Sequence, residues 1–330
     1  MSTGTAAPGT MRLPDKADAI GAIRRAGWTL GIYLILLGLI IYTWILNPRY
    51  GLDTLAMAAL PLALAAAAQA IVVISGGIDL SIGAMMALTA VTAAVLMKNA
   101  SPEAAVGILF FVLLLGIVVG AINGVLVVVT RVPDIVVTLA MSYVWAGTAL
   151  LILDRPGGGA ADWVKVMVKG NLLGAVPSAT VVLLVVIGVV WLPLRRSRLG
   201  LSLYALGSDA LAAFRSGVPV RRTKILSYAV CGLLAGAGGL ALVATTGIGT
   251  PTTGDYTLKA VAAIVLGGVS LAGGRGGLLG PIAAAYVLAI IRADLVFMGV
   301  DPNYSTMIQG GIMVLVVMAA AYLELRRRRR

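Results

Sequence analysis

Asp79 is the acidic residue in the string Ser75–Gly83 (SGGIDLSIG), which joins two strongly apolar stretches of the sequence. A charged side chain at the centre of a membrane helix costs about 2.5–3.5 kcal/mol on insertion scales, so it usually faces a cavity, a partner or an interface. Two glycines precede Asp79 and Ser81 follows it soon after. This pattern suits an unwound turn whose carboxylate caps the free N–H groups of the next helix. Direct contact with a bound small molecule is the alternative interpretation.

Two amides lie in otherwise apolar sequence. Gln69 is surrounded by alanines and requires a hydrogen-bonding partner, so it either faces a polar pathway or bridges two helices. Asn123 stands beside glycines spaced four residues apart. That spacing predicts a helix face on which a neighbouring backbone approaches closely, with a pathway role as the alternative. The glycines of this pattern are Gly116, Gly120 and Gly124, and Gly232, Gly236 and Gly239 form a similar set.

The Gly76–Gly77 string has a weak echo later in the chain, at Gly267–Gly268. Both strings read Gly-Gly, β-branched, polar or acidic, Leu, small, any residue, Gly. Paired glycine-interrupted segments in two halves indicate a transporter built from a repeat, although glycine-rich membrane sequences also resemble one another by chance. The residues that we expect at broken helices or along a pathway are Gln69, Ser75, Gly76, Gly77, Asp79, Ser81, Asn123, Gly267 and Gly268.

The composition predicts the class of protein that must position these residues. The chain has 330 residues, of which 60% are hydrophobic and 12% charged, and its mean hydropathy is +1.03. A soluble domain has about 25% charged residues. These values exclude a soluble protein, a nucleic-acid binder and a single-pass receptor, and they predict an all-α polytopic membrane protein. About ten stretches are long enough to cross a bilayer: 28–46, 52–74, 80–97, 104–130, 134–153, 178–194, 225–246, 256–272, 276–297 and 304–323.

The positive charges predict the orientation. Most of the 25 lysines and arginines fall in the terminal segments 1–27 and 324–330 and in the long segment 195–224. Cytoplasmic loops collect such residues, so we expect both termini in the cytoplasm and a single transmembrane domain over 28–323, with a long outer loop at 154–177. The basic tail is an orientation signal, or secondarily a site for anionic lipid.

Several kinds of chemistry are excluded. The chain has no His and a single cysteine, Cys231, which removes disulfides and leaves zinc sites and nucleophilic relays without ligands. It also lacks a phosphate-binding loop. We expect no bound metal or cofactor, and an energy-coupled importer would take its ATPase from another chain. The alternative, a stand-alone secondary transporter or facilitator, has few acids to use, since only Asp79, Asp134 and Asp294 approach the membrane.

The segment from Leu194 to Lys224 is the least membrane-like part of the chain. Ser208 is a suitable N-cap, Gly217 a suitable C-terminal stop, and Pro219 prevents continuation of a helix. The predicted helix has a small apolar face that either docks into a groove of a soluble partner or lies on the membrane surface, and its alanines favour docking. Its residues are Ser208, Asp209, Leu211, Ala212, Ala213, Phe214, Arg215, Ser216 and Gly217.

Three strings together resemble a known family. They are SGGIDLSIG at 75–83, YALG…AA…SGV at 204–218, and AVAAIVLGG…LAGGRG at 260–276. In this order they are similar to the ribose/xylose-type permeases, the membrane subunits of bacterial ATP-binding-cassette sugar importers. The resemblance runs from about residue 50 to 323. The outer loop 154–177 and Lys259, where an acidic residue is commoner, depart from the family pattern.

The resemblance implies the rest of a transport system. We expect a ten-span fold of the cobalamin-importer (type II) kind, in the bacterial cytoplasmic (inner) membrane. Two permease subunits, identical or different, would form the pathway, and a periplasmic or lipid-anchored binding protein would deliver a monosaccharide. A cytoplasmic ATPase would bind ATP and Mg, and the helix at 208–217 would couple it to the permease. The resemblance implies no nucleic-acid partner.

Overall fold

The computed structural model describes residues 16–172, 176–301, 303–312, 314–315 and 318. The first 15 residues of the predicted N-terminal segment, the end of the tenth predicted span and the basic tail lie outside these residues. The helices are α1 (Lys16–Leu46), α2 (Leu52–Ile74), α3 (Ile82–Met97), α4 (Pro102–Thr130), α5 (Asp134–Ile152), α6 (Asp162–Val168), α7 (Ser178–Arg196), α8 (Arg198–Ser208), α9 (Ala210–Arg215), α10 (Val220–Thr246), α11 (Tyr256–Leu266) and α12 (Leu279–Phe297). Strands β1 (Asn171–Leu172) and β2 (Val176–Pro177) pair antiparallel, and residues 303–312 are helical.

Seven of these helices are long and apolar enough to cross a membrane: α1, α2, α4, α5, α7, α10 and α12. The predicted class, an all-α polytopic membrane protein, is therefore confirmed. Two further apolar helices, α3 and α11, are shorter. The sequence predicts a crossing over 256–272, whereas helix α11 ends at Leu266 and the chain continues through glycine-rich turns. At 1.5 Å per residue, 11 helical residues cover only about 16 Å of a hydrocarbon core about 30 Å thick.

Helices α2 and α10 form the centre of the bundle. The most apolar window of α2 is 89% buried and that of α10 is 72% buried, whereas the windows of α1 and α5 are only 11% buried. α2 packs against α7, α10, α11 and α12, and α10 also packs against α3 and α4. The alanine-rich sequence of α2 explains its position, because small side chains allow several helices to surround one axis.

Helices α4 and α10 pack closely through their glycines. A Cβ atom on Gly120 would lie 2.9 Å from the Cα atom of Gly232, and one on Gly124 would lie 2.9 Å from the Cα atom of Ile225. A Cβ atom on Gly116 would overlap the carbonyl oxygen of Gly232. The four-residue spacing of these glycines therefore serves backbone-to-backbone packing, as the sequence predicts.

The long loop after α5 folds onto the C-terminal end of α10. Gly157 forms a β-bridge with Gly249, and the amide of Ala160 donates to the carbonyl of Gly247 at 3.3 Å. Helix α6 and the β1–β2 ribbon complete this loop. Helices α8 and α9 lie at the opposite end of α10, near its first residues. The sequence analysis predicts neither α6 nor α8.

Candidate functional site

The first helix break is the segment 75–81, which joins α2 to α3. Helix α2 ends in a left-handed glycine, Gly76, whose φ angle is +77°. The amide of Gly77 donates to the carbonyl of Val72 at 3.0 Å, and the amide of Gly76 donates to that of Val73 at 2.9 Å. This is the Schellman arrangement, which satisfies the last carbonyls of a helix and turns the chain away from its axis.

Asp79 lies fully buried in this break and accepts hydrogen bonds from the residue that precedes α3. Its Oδ1 atom accepts from the amide of Ser81 at 2.8 Å and from its hydroxyl at 2.6 Å. Asn123 of α4 donates to the same hydroxyl oxygen at 2.7 Å, and Trp145 of α5 donates to the Asn123 amide oxygen at 3.0 Å. The thiol of Cys231 in α10 is 3.8 Å from Oδ2. Four parts of the fold thus share one buried polar network.

A second group of side chains holds the same break against the first turns of α5 and α10. Lys224 of α10 forms an ion pair with Asp134 at the start of α5, with Nζ and Oδ2 2.6 Å apart. Tyr228 donates to the same Oδ2 atom at 2.9 Å and lies 3.4 Å from the carbonyl oxygen of Ile78. Lys224 also reaches the carbonyl oxygen of Gly76 at 3.5 Å. The ion pair therefore holds the backbone of the break between α5 and α10.

Three hydroxyl groups form further hydrogen bonds around the first break. Thr138 of α5 accepts a hydrogen bond from the amide of Leu80 at 3.0 Å. Ser75 donates to the carbonyl of Val72 at 2.8 Å and contacts the hydroxyl of Ser227 at 3.1 Å. The sequence points to Ser75, but it gives no sign of Thr138 or Ser227, because their partners lie far away along the chain.

The second helix break is the segment 267–278, between α11 and α12. The amide of Val269 donates to the carbonyl of Ile264 at 2.9 Å, and Gly268 has a φ angle of +78°. This is the same helix ending as in the first break. Gly268 is the second glycine of its pair, whereas Gly76 is the first of its pair. The two endings therefore match with a shift of one residue from the alignment that the sequence echo suggests.

The second break is held mainly by backbone atoms. Within it, the amide of Ser270 donates to the carbonyl of Arg275 at 3.2 Å, and the amide of Gly273 donates to that of Ser270 at 3.0 Å. The hydroxyl of Tyr204, on α8, donates to the carbonyl of Gly276 at 2.8 Å. Burial raises the pKa of the Tyr204 hydroxyl, which keeps it protonated as a donor.

The two breaks meet α8 at a cluster of glycines that we call the glycine junction: Gly76, Gly207, Gly273 and Gly274. The amide of Gly274 donates to the carbonyl of Ile74, the last residue of α2, at 2.9 Å. A Cβ atom on Gly207 would overlap that carbonyl oxygen, and one on Gly273 would lie 2.9 Å from the Cα atom of Gly76. Backbone thus touches backbone where α8 and both breaks converge.

The cytoplasmic helix predicted at 208–217 begins one residue later than the sequence indicates. Asp209 is the N-cap of α9, since its Oδ1 atom accepts from the amides of Leu211 and Ala212, each at 2.9 Å. Ser208 is instead the last residue of α8, and its hydroxyl donates to the carbonyl of Tyr204 at 2.8 Å. The prediction that Ser208 is the N-cap is therefore wrong.

Most of the predicted docking helix is exposed, with one exception. Phe214 is 67% exposed and Leu211 is 58% exposed, whereas Ala213 is only 5% exposed. Ala213 therefore faces the rest of the chain and is not available to a docking partner. Gly217 ends the segment as predicted, with a φ angle of +82°. The exposed residues are Ser208, Asp209, Leu211, Ala212, Phe214, Arg215, Ser216 and Gly217.

Gln69 lies fully buried in the middle of α2. Among the residues that the structure describes, neither of its amide atoms has a hydrogen-bonding partner. The partner that the sequence analysis expects is thus not supplied by the described part of the chain. The same residues contain no group of three acidic or cysteine side chains that could hold a metal ion.

Comparisons with known proteins identify a family and several relatives. The family described as branched-chain amino acid transport system / permease component matches residues 51–317. The ribose import permease protein RbsC of Escherichia coli (strain K12) is 34% identical over 263 residues, covering 78% of this chain and 81% of the relative. RbsC of Bacillus subtilis (strain 168) is 32% identical over 317 residues, covering 90% of this chain and 93% of the relative.

A third relative is named for import of a different solute. The autoinducer 2 import system permease protein LsrD of Escherichia coli (strain K12) is 29% identical over 313 residues, covering 89% of this chain and 92% of the relative. No solved structure is a significant match. The matched region contains both helix breaks, the glycine junction and α9. The chain therefore belongs to the family of branched-chain amino acid transport system permease components.

Proposed function

We propose that the chain is the membrane-spanning permease subunit of an ATP-binding-cassette importer for a monosaccharide, a pentose or a hexose. The relatives named for ribose import support a sugar, and the relative named for autoinducer 2 import supports import of a small polar solute. The bilayer is the bacterial cytoplasmic (inner) membrane. In this proposal the chain forms the pathway and has no enzymatic activity of its own.

The proposed topology has ten crossings with both termini in the cytoplasm, in the manner of the cobalamin-type (type II) importers. The seven long helices, the two shorter apolar helices α3 and α11, and the helical residues 303–312 supply ten segments. The hydrogen bond from Gly274 to Ile74 supports a complete eighth crossing, because it carries the chain after α11 to the level at which α2 ends. The domain spans 28–323, with terminal segments 1–27 and 324–330.

The observation that carries the proposal is the glycine junction. Helix α9 exposes Leu211 and Phe214 at the end of the bundle, and Gly207, at the adjoining end of α8, makes a direct backbone contact with both breaks. A movement of α9 would therefore be transmitted directly to both helix breaks, because no flexible linker lies between them. ATP could drive alternating access in this way because it favours one of two permease states by its differential affinity.

The residues of the first break have mainly structural roles in this proposal. Asp79 and Ser81 hold the turn before α3, and Asn123 ties that turn to α4. Gln69 is the proposed pathway residue, because its buried amide is left without a partner among the described residues and is available to a polar solute. Gly267 and Gly268 provide the second irregular segment.

The partners follow from the same arrangement. A cytoplasmic ATPase, which carries ATP and Mg, docks on α9, and a second permease subunit, identical or different, completes the pathway. A periplasmic or lipid-anchored sugar-binding protein docks at the opposite end, where α6 and the β1–β2 ribbon fold onto α10. The exposed apolar side chains of Val166 and Met167 on α6 support contact at that surface.

The test is extraction of the chain from its native membrane in mild detergent, followed by mass spectrometry of the proteins that accompany it. We expect an ATPase with a phosphate-binding loop in stoichiometric amount. The Phe214→Glu variant should lose this ATPase, whereas the conservative Phe214→Leu variant should keep it, since only the first places a charge in an apolar contact. A chain that is always extracted alone, yet transports solute into liposomes without ATP, would establish the stand-alone transporter instead.

A further inference from the structure

A cavity of about 510 Å³ lies between α2, α11, α12 and the helical residues 303–312. Its volume falls within the range of about 300–1,000 Å³ that is typical of small-molecule sites. The N-terminal half of α2 and the C-terminal half of α12 supply apolar walls. No residue of the helix breaks or of the glycine junction lines this cavity, so it is separate from the site described above.

Several hydrogen-bond donors line this cavity. Two of its polar side chains, Thr253 and Gln309, donate to the carbonyls of Gly83 and Leu288. Lys259 is buried and pairs with Asp255, with Nζ and Oδ2 2.9 Å apart. Arg292 also lines the cavity, but it forms no ion pair or side-chain hydrogen bond with any residue that the structure describes. The hydroxyls of Tyr50 and Tyr256 have no hydrogen-bonding partner among those residues either. The lining thus contains four further groups that can donate hydrogen bonds, two cationic side chains and two tyrosine hydroxyls, and one carboxylate.

Arg292 has no acidic partner at ion-pair distance among the residues that the structure describes. Asp255 pairs with Lys259, and Asp294, two residues after Arg292, does not line the cavity. The Oδ1 atom of Asp294 accepts from the hydroxyl of Thr43 at 2.8 Å, and its Oδ2 atom has no partner among the described residues. Arg292 is exposed, so its guanidinium is open to a ligand that enters the cavity. An anion there would meet an arginine that no described residue already pairs.

We propose that this cavity binds a ligand through a carboxylate or phosphate group. The planar guanidinium of Arg292 matches both groups with two parallel hydrogen bonds. The hydroxyls of Tyr50 and Tyr256 are further donors, and the apolar walls suit the body of the ligand. An anionic lipid headgroup and a small soluble anion share this chemistry. The inference stands apart from the proposed function, because it requires neither ATP nor a partner protein.

The test uses the purified full chain and native mass spectrometry with two pairs of probes. Phosphatidylglycerol is compared with phosphatidylcholine, and glucuronate is compared with glucose. We expect the chain to prefer one of the two anionic probes over its neutral counterpart. Arg292→Gln should weaken that binding about tenfold, the usual effect of losing a charge-assisted hydrogen bond. The matched control Arg155→Gln changes an exposed arginine outside the cavity and should leave binding unchanged.

The two probe pairs distinguish the source of the ligand. Preference for phosphatidylglycerol alone assigns a lipid headgroup, and preference for glucuronate alone assigns a soluble solute. Equal binding of charged and neutral probes by the unaltered chain overturns the proposal, and so does a loss that Arg155→Gln reproduces. If Arg292→Gln does not fold, Tyr256→Phe provides the second variant. It removes one donor without altering charge, and binding of the preferred anion should weaken by a smaller factor.

Discussion

The two helix breaks end the preceding helix in the same way but are held by different means. The first break, 75–81, is surrounded by side chains from α4, α5 and α10, including the ion pair between Lys224 and Asp134. The second break, 267–278, is held by its own turns, by the carbonyl of Ile74 and by one hydroxyl, that of Tyr204. An identical helix ending therefore does not imply an identical mechanical role.

The contrast indicates which break yields when α8 moves. Side-chain networks with several partners resist displacement, because each broken bond leaves a buried polar group unsatisfied. The second break has few such bonds, and α8 contacts it directly through Gly207 and Tyr204. We therefore expect the first break to act as a fixed frame and the second to move.

The largest expected effect comes from Gly207→Ala. The added methyl group would overlap the carbonyl oxygen of Ile74 and crowd the amide of Gly274, so it would separate both breaks from α8. We expect ATP-driven uptake to fall at least about tenfold, because α8 no longer contacts the breaks, whereas the overpacking itself costs about 1–3 kcal/mol of folding free energy and leaves the protein folded. Uptake by reconstituted transporter is the measurement. Gly188→Ala, at a glycine with nothing within 4 Å, is the control, and normal uptake by Gly207→Ala would refute the coupling role.

Removing the ion pair tests whether the first break is a frame. Lys224→Met leaves Asp134 partly buried without its cation, and breaking such a pair costs up to about 3 kcal/mol of folding free energy. We expect a clear fall in the thermal unfolding temperature of the detergent-solubilised protein. The double variant Lys224→Met/Asp134→Leu should recover part of it. If the single variant were as stable as the unaltered chain, the ion pair would not be what holds the first break in place.

The pair of variants Asp79→Ala and Ser270→Ala compares the polar residues that the sequence echo aligns in the two breaks. Asp79→Ala deprives the amide and hydroxyl of Ser81 of their acceptor, which we expect to cost about 2 kcal/mol. Ser270→Ala should have little effect, since its hydroxyl bonds to no residue that the structure describes. Asp79→Asn retains an acceptor oxygen and should recover most of the stability. The measurement is the thermal unfolding temperature of all three variants. Equal losses of stability in Asp79→Ala and Ser270→Ala would contradict the proposed difference between the two breaks.

The smallest expected effect is that of Tyr204→Phe. It removes the single hydroxyl that α8 donates to Gly276, and we expect a loss of about 1 kcal/mol. If the second break is the mobile one, transport should become less tightly coupled, with more ATP hydrolysed per solute imported, while thermal stability falls only slightly. A variant with an unchanged ratio of hydrolysis to uptake would show that the hydroxyl is not part of the coupling.

Local patterns predict the parts of this fold that depend on local physics. The bounds of α2 follow from hydropathy alone, and the four-residue spacing of Gly116 and Gly120 correctly predicts close packing. The turn at Asp79 is predicted only in part. Its carboxylate accepts from Ser81, two residues away, and not from the free N–H groups of α3 that the sequence analysis expects it to cap.

Contacts between residues far apart in the chain could not be predicted from the sequence. Ser208 and Asp209 are both good N-caps, and only the backbone conformation distinguishes them. Lys224 and Asp134 lie 90 residues apart, so no spacing rule pairs them. The glycine at 207 looks like a helix weakness in the sequence. A glycine is required there because the carbonyl of Ile74 lies against it and leaves no room for a side chain.

The burial of Cys231 has a practical consequence for experiments on motion. The only thiol of the chain is completely inaccessible, so a water-soluble maleimide or nitroxide reagent has no natural target. A cysteine introduced at Leu211, on the exposed side of α9, and another at an exposed position of α5 would accept spectroscopic labels selectively. Distances between such labels, recorded with and without ATP in the assembled transporter, would report directly on the movement of α9, with the native cysteine left in place.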